Sequence, residues 1–341
     1  MKIAVLSDGG WGTSLALLLD RNGHQVCLWG PFPDYLEEVR QRRENVKFLP
    51  GVPIPDSVTL VADLEAAVSG AELAVLAAPA QYARGLLERL AGLRFPKTTP
   101  LVNVAKGIEV KTLKRMSEVV AEVLAPERYA VLSGPSYAEE VARRVPTAVV
   151  AAAADAAVAA AVQATFMNRE FRVYTSADII GVELGGALKN VLALAAGICD
   201  GMGFGDNTKA ALMTRGIVEM ARLGKALGGR SETFFGLSGI GDLIVTCAGH
   251  HSRNRHVGEE LGKGRRLADI QKEMGLAVAE GVATAESAHM LARRAGVDTP
   301  IVDEVYASLY QGKDPRRAVR DLMAREAKPE LPGDFLTCNN P

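Results

Sequence analysis

The sequence predicts a doubly wound α/β domain followed by an all-α domain, and three observations carry that prediction. Short β-rich runs alternate with helical ones as far as about Ser176. Beyond that residue the β-rich runs stop and only helical patterns continue. A glycine-rich turn separates the first strand-like run from the first helical one.

The strand-like runs are 2–6, 25–29, 58–61, 72–77, 100–104, 129–132, 147–152 and 171–174. Most are unbroken Val/Ile/Leu/Ala stretches rather than alternating ones, the pattern of strands covered on both faces of a parallel sheet. Helical patterns at 11–22, 82–90 and 114–124 fall between them, and such alternation builds a doubly wound sheet. The segment 49–55, Leu-Pro-Gly-Val-Pro-Ile-Pro, is too turn-rich for either element and reads as a connector. The second half offers helices at 178–201 and 207–227, then a glycine-broken segment at 236–241. Further helices follow at 252–261, 267–274, 284–295 and 301–309. The change of pattern divides the chain into residues 1–176 and residues 177–327. Residues 328–341 carry Pro and Gly with little periodicity and read as a loose tail. No internal repeat is visible.

With 39 basic and 40 acidic residues in 341, the chain has a formal net charge of -1 and no electrostatic footprint for nucleic acid. Arg40, Arg42 and Arg43, like Arg316 and Arg317, read as solvated helix faces. Met1 leads straight into a strand-like run, so no leader is expected. The stretch 148–164 comes nearest to a membrane span, but Asp155 and Gln163 interrupt it, and a chain that does not span a membrane is expected. Cys27, Cys199, Cys247 and Cys338 lie far apart, as reduced thiols of a cytoplasmic protein do. His250, His251 and His256 lack a cysteine or carboxylate cluster to complete a ligand set, so no metal is expected.

The first chemical motif is the turn Ser7-Asp-Gly-Gly-Trp-Gly12 between strand and helix. Glycines there let the backbone approach a dinucleotide's pyrophosphate, which rests on the N–H groups opening the helix. Gly9 and Gly12 fill two slots of the G-x-G-x-x-G pattern, Gly10 and Trp11 lie between them, and Ser7 stands in the first slot. The second strand ends on Gly30, Pro31 and Phe32, without the acid that reads a ribose diol or the basic group that reads a 2′-phosphate. NAD and NADP both stay open. Lys106 and the Ser133-Gly-Pro-Ser136 turn, with Gly134, follow later strands, where open parallel sheets hold ligands. Ser136 also reads as an ordinary helix cap.

In the second half Lys189 and Asn190 interrupt a helix that is otherwise small and apolar. A buried ammonium is costly unless it is compensated or loses its proton, and a lysine that loses its proton near neutrality serves as a general base. The alternative is a lysine stem snorkelling over a core helix. Asp242 and Thr246 are four residues apart, on one face if that segment is helical. Ser252, Arg253 and Asn254 precede a helical run, where an anion can meet helix N–H groups and a guanidinium fork. Glu280 lies beside Gly281, and each of these clusters also reads as a helix cap or surface charge.

Taken in order, several segments resemble the NAD(P)-dependent glycerol-3-phosphate dehydrogenases of the bacterial type. They are Gly9-Gly-Trp-Gly-Thr13, Ala105-Lys-Gly107, Ser133-Gly-Pro-Ser136, residues 181–200, residues 209–216, Gly239-Ile-Gly-Asp-Leu243 and Ser252-Arg-Asn-Arg255. The resemblance implies a Rossmann-like domain over residues 1–176, a helical substrate and catalytic domain over 177–327, and an active site between them. It implies Lys189 as the proton acceptor and Lys106 as a contact to both cofactor and substrate. Gly134, Ser136, Asn190, Asp242, Thr246, Ser252, Arg253 and Asn254 would surround dihydroxyacetone phosphate or sn-glycerol 3-phosphate. Gly9, Gly10, Trp11, Gly12, Ala138, Arg253, Val278 and Glu280 would contact NAD or NADP. It further implies a cytoplasmic enzyme of glycerophospholipid synthesis, and apolar helices of the second half could form a homodimer. A hydroxy-acid or sugar-acid dehydrogenase and a non-catalytic NAD(P)-binding sensor are the competing readings. Ser7 and Pro31 depart from the family pattern, at the pyrophosphate turn and at the end of the second strand.

Overall fold

The structure, a computed structural model, describes residues 1–275 and 277–330. β1 (Lys2–Leu6), β2 (Gln25–Trp29), β3 (Thr59–Val61), β4 (Leu73–Leu76), β5 (Leu101–Asn103), β6 (Tyr129–Ser133), β7 (Thr147–Ala152) and β8 (Phe171–Ser176) form one sheet. Its order is β3-β2-β1-β4-β5-β6-β7-β8. α1 (Gly10–Arg21), α2 (Pro33–Arg42), α3 (Leu64–Val68), α4 (Ala80–Gly92), α5 (Met116–Val123), α6 (Ala138–Ala142) and α7 (Ala156–Phe166) connect the strands.

The unbroken apolar runs are explained by burial on both sides. Ile3 and Val5 pack with Leu15, Leu18 and Leu19 of α1 and Phe166 of α7 on one face. Ala4 and Leu6 pack with Leu86, Leu87 and Leu90 of α4 and Val119 and Val120 of α5 on the other. Strand order reverses between β1 and β4, which places the ligand crevice at their carboxyl ends.

The sheet is not wholly parallel. β7 runs antiparallel to β6, pairing Ala152 with Val131, and β8 is parallel to β7. The only helix between β6 and β7 is the five-residue α6. At about 1.5 Å per residue it is too short to carry the chain back along the sheet, so β7 starts from the end where β6 finished.

The second half is helical: α8 (Ile179–Gly201), α9 (Asp206–Ala226), α10 (Asp242–Ala248), α11 (Arg253–Gly262), α12 (Leu267–Met274), α13 (Glu280–Ala295), α14 (Pro300–Tyr310) and α15 (Pro315–Met323). A 3-10 turn (Ser231–Phe235) and a π-helical turn (Leu237–Gly241) lead into α10. Asp178 caps α8, its Oδ1 accepting from the Gly181 N–H at 2.9 Å. α8 is the axis of this half and is buried from Gly181 to Cys199. It corrects the expectation that 148–164 comes nearest to a membrane span: α8 is long and apolar enough by length and composition. However, 89% of its most apolar window is buried in the protein, which makes it a core helix. Residues 148–164 divide instead between β7 and α7.

α8 and α11 meet through glycines on both sides. A Cβ at Gly197 or Gly201 would strike the carbonyl of Arg255 or Glu259, and one at Gly258 or Gly262 would strike that of Leu194 or Ile198. The two helices therefore touch backbone to backbone, with no side chains between them there. Of the tail expected at 328–341, residues 331–341 lie outside the described residues, as does Cys338. Cys27, Cys199 and Cys247 are buried free thiols.

Candidate active site

The turn between β1 and α1 fits a dinucleotide pyrophosphate. Gly9 is the N-cap of α1 and makes no side-chain cap, so the first-turn N–H groups stay available to an anion. A Cβ at Gly12 would collide with the Ser7 carbonyl oxygen, and one at Gly10 would lie 2.5 Å from the Phe48 carbonyl oxygen and 3.7 Å from Ala138 Cβ. Ala138, the first residue of α6, thus borders the same turn. Ser7 adopts φ +137°, a conformation that favours glycine, while its N–H donates to Trp29 O at 3.1 Å. The serine keeps the geometry of the missing glycine at a strain cost of about 1–3 kcal/mol. Trp11 packs against the sheet core, and its buried indole N–H has no partner among the described residues.

Around α8 the structure gathers most of the polar residues singled out in the second half. Lys189 is 7% exposed, and its Nζ donates to Asp242 Oδ1 at 2.6 Å and to Thr246 Oγ1 at 2.8 Å. It does not snorkel. Lys106, in the loop after β5, donates to the other carboxylate oxygen, Asp242 Oδ2, at 2.7 Å and to Gly134 O at 2.8 Å. One aspartate therefore joins a lysine from the sheet half to a lysine from the helical half. Asp242 and Thr246 share a face of α10 as their spacing anticipates, and Thr246 Oγ1 also donates to Asp242 O at 2.6 Å. Burial drives the Lys189 pKa down to about 8; the Asp242 carboxylate opposes that fall and the Lys106 ammonium adds to it.

Asn190 Nδ2 donates to Lys106 O at 3.3 Å, and its Oδ1 accepts from Asn254 Nδ2 at 2.8 Å. Asn254 Oδ1 in turn accepts from the Gly281 N–H at 2.9 Å. This relay ties the starts of α11 and α13 to the middle of α8. Ser252 is the buried N-cap of α11, its Oγ accepting from the Arg255 N–H at 3.1 Å, and Arg253 is exposed as the first helical residue. Ser136 does not cap α6, whose N-cap is Tyr137; its hydroxyl donates to Gly134 O at 2.9 Å instead. Arg255, quoted above only within its motif, is turned away to pair with Asp200 at 2.6 Å.

Glu280 opens α13 and crosses to the sheet half, where its Oε1 accepts from the Ala80 N–H at 3.0 Å. Its Oε2 is buried without a partner among the described residues, and burial pushes its pKa up to about 7. Val278 is half-buried just before this helix. Among the described residues no three His, Cys, Asp or Glu side chains are placed to hold a metal, and His251 packs its ring against Tyr137. Sequence reasoning passed over Asp8, which is buried with Oδ2 unpartnered among the described residues. The signal was its place inside the glycine turn, where any Asp reads first as a turn former.

A glycine turn at the switch point of a doubly wound sheet, facing a helical unit that carries a buried lysine, defines a two-domain nicotinamide-dependent dehydrogenase. Residues 2–159 match the N-terminal part of the NAD-dependent glycerol-3-phosphate dehydrogenases, and residues 178–320 match their C-terminal part. The chain is 53% identical to the glycerol-3-phosphate dehydrogenase [NAD(P)+] of Geobacter sulfurreducens, over 96% of this chain and 98% of that one. It is 51% identical to that of Prosthecochloris aestuarii, over 97% of this chain and 100% of the other. The crystal structure of glycerol-3-phosphate dehydrogenase from Coxiella burnetii superposes with a TM-score of 0.91 at 38% identity, covering 95% of this chain and 99% of that one. The chain belongs to the NAD(P)-dependent glycerol-3-phosphate dehydrogenase family, whose members reduce dihydroxyacetone phosphate to glycerol 3-phosphate, and it is an oxidoreductase.

Proposed function

We propose that this chain interconverts dihydroxyacetone phosphate and sn-glycerol 3-phosphate, with Lys189 moving the proton at the C2 oxygen. The observation that carries the role of Lys189 is its buried ammonium, which shares one carboxylate with Lys106. The bound nicotinamide supplies the hydride in reduction and takes it in oxidation. A pKa of about 8 lets Lys189 hold its proton for the first direction and release it for the second near neutral pH. Asp242 and Thr246 aim Nζ, and Asp242 keeps enough charge beside it to stop the proton from leaving too early. Lys106, with Gly134 and Ser136, holds the substrate on the sheet side. Ser252, Arg253 and Asn254 take the phosphate at the start of α11, where N–H groups and a guanidinium favour an anion. Asn190 couples the two sides.

Gly9, Gly10, Trp11 and Gly12 receive the dinucleotide, with Ala138 beside the turn. Lys106, Arg253, Val278 and Glu280 approach it from the rest of the crevice. We take residues 1–176 and 177–327 as the two domains and the crevice between them as the active site. We further infer a cytoplasmic enzyme feeding glycerophospholipid synthesis, in which apolar helices of the second half could pair two copies. The test is oxidation of NADH and NADPH by the purified chain with dihydroxyacetone phosphate. Absence of oxidation, alongside turnover of a keto acid, would overturn the substrate assignment.

A further inference from the structure

We propose that Asp8 accepts the 2′-hydroxyl of the adenosine ribose and thereby makes this chain select NAD over NADP; the inference rests on the dehydrogenase reading above. Dinucleotide folds usually place this acceptor at the end of the second strand. Here that strand ends on Gly30, Pro31 and Phe32, and none of them carries a charge. The structure brings the missing carboxylate from the turn that follows the neighbouring strand, β1. A Cβ built on Gly30 would lie 2.5 Å from Asp8 Oδ2 and 2.7 Å from Asp8 Cγ, so the aspartate occupies the space that a side chain at the end of β2 would fill. Glycine at position 30 is what allows it.

Asp8 is 3% exposed, and its Oδ2 has no hydrogen-bond partner among the described residues. Its main-chain oxygen is already used, accepting from Asn45 Nδ2 at 2.6 Å and from Thr13 Oγ1 at 3.2 Å. A buried carboxylate oxygen left idle is costly, and a hydroxyl donor removes that cost. Burial raises the Asp8 pKa only to about 6, so the group remains mostly an anion at neutral pH. An anion there accepts from a ribose diol and repels a 2′-phosphate.

The basic residues that could have welcomed a 2′-phosphate are committed elsewhere. Arg40 is held by Glu37 and donates to Leu60 O at 2.8 Å. Arg42 pairs with Glu38 at 3.2 Å. Arg43 donates to Ile54 O at 3.1 Å and pairs with Asp56 at 3.3 Å. Repulsion at Asp8 is therefore not offset by a guanidinium fork, and both effects push the same way.

The test measures equilibrium affinity for NADH and NADPH by fluorescence, with no substrate present, in the wild-type chain and in Asp8→Asn. The wild-type chain should bind NADH at least about tenfold more tightly than NADPH, a difference of about 1.4 kcal/mol. Asp8→Asn should weaken NADH and leave NADPH unchanged or tighter, collapsing the ratio. Equal wild-type affinities would overturn the proposal, as would a ratio that survives the substitution. If neither nucleotide binds the wild-type chain, the dehydrogenase reading itself fails. Should Asp8→Asn not fold, competition against NADH in the wild-type chain decides: ADP-ribose should displace it, and 2′-phospho-ADP-ribose competing equally well would refute the assignment.

Discussion

Replacing Lys189 with methionine is the most direct probe of the chemistry. The change removes an ammonium that donates to Asp242 at 2.6 Å and to Thr246 at 2.8 Å, and it keeps an unbranched apolar stem of similar length. α8 should stay packed, because a near volume-conserving swap in a core usually costs under about 1.5 kcal/mol. Asp242 is not stranded, since Lys106 still donates to its second oxygen at 2.7 Å. The loss should therefore fall on turnover. A positioned general acid–base is worth roughly 10²–10⁴-fold, or about 2.7–5.4 kcal/mol of barrier at about 1.36 kcal/mol per decade. The pH dependence supplies a second readout. Oxidation needs neutral Lys189, so the wild-type rate should climb with pH and level off above about 8; reduction needs the ammonium, so its rate should be level below about 8 and fall above it. Steady-state kinetics in both directions on either side of that pH, with NADH and NADPH binding measured in parallel, checks both effects. Near-normal turnover with the pH limb intact would remove Lys189 from the mechanism.

Three further outcomes follow from the same geometry. Asp242→Asn leaves two neighbouring ammonium groups without their shared carboxylate, and breaking a buried pair this way costs about 3–5 kcal/mol. Urea unfolding should show that loss, and the pH limb of any residual activity should move below 8, because Asp242 is the group that holds the Lys189 pKa up. Arg253→Ala should raise KM for dihydroxyacetone phosphate by about tenfold or more with a smaller change in kcat; an unchanged KM would place the phosphate elsewhere. Gly258→Ala forces a methyl group into the Leu194 carbonyl and should destabilise the fold by about 1–3 kcal/mol, read as a lowered thermal midpoint.

Much of the sheet was legible because burial on both faces leaves a plain signature. All eight strands form within two residues of the Val/Ile/Leu/Ala runs that announce them. The direction of β7 was not legible, because it depends on how far α6 carries the chain rather than on the strand's own residues. α7 escaped notice because alanine dominates all sides of Ala156–Phe166 and leaves no polar stripe to mark a period. α15 was announced only by Arg316 and Arg317, read as a solvated helix face; with Ala318 its one buried residue, Pro315–Met323 left no apolar signal to set its bounds. In the site, Lys189 stood out because an ammonium among alanines is a local anomaly. Its bond to Asp242, and the bond of Asp242 to Lys106, join residues 53 and 136 positions apart, and no local pattern encodes such pairings. Asp8 was hidden by its company, since its meaning depends on Gly30 from the adjoining strand.

The paired glycines of α8 and α11 have a mechanical consequence. Two cylinders whose main chains already touch cannot slide or roll past one another without steric overlap, so the helix bearing Lys189 and the helix opening at Ser252–Asn254 travel as a single rigid bracket. The bracket is also fastened to the sheet half, through Glu183 of α8 with Arg115, Ser117 and Tyr129 and through Asn190 with the Lys106 carbonyl. Four missing methyl groups thus set the distance between the Lys189 amine and the opening turn of α11.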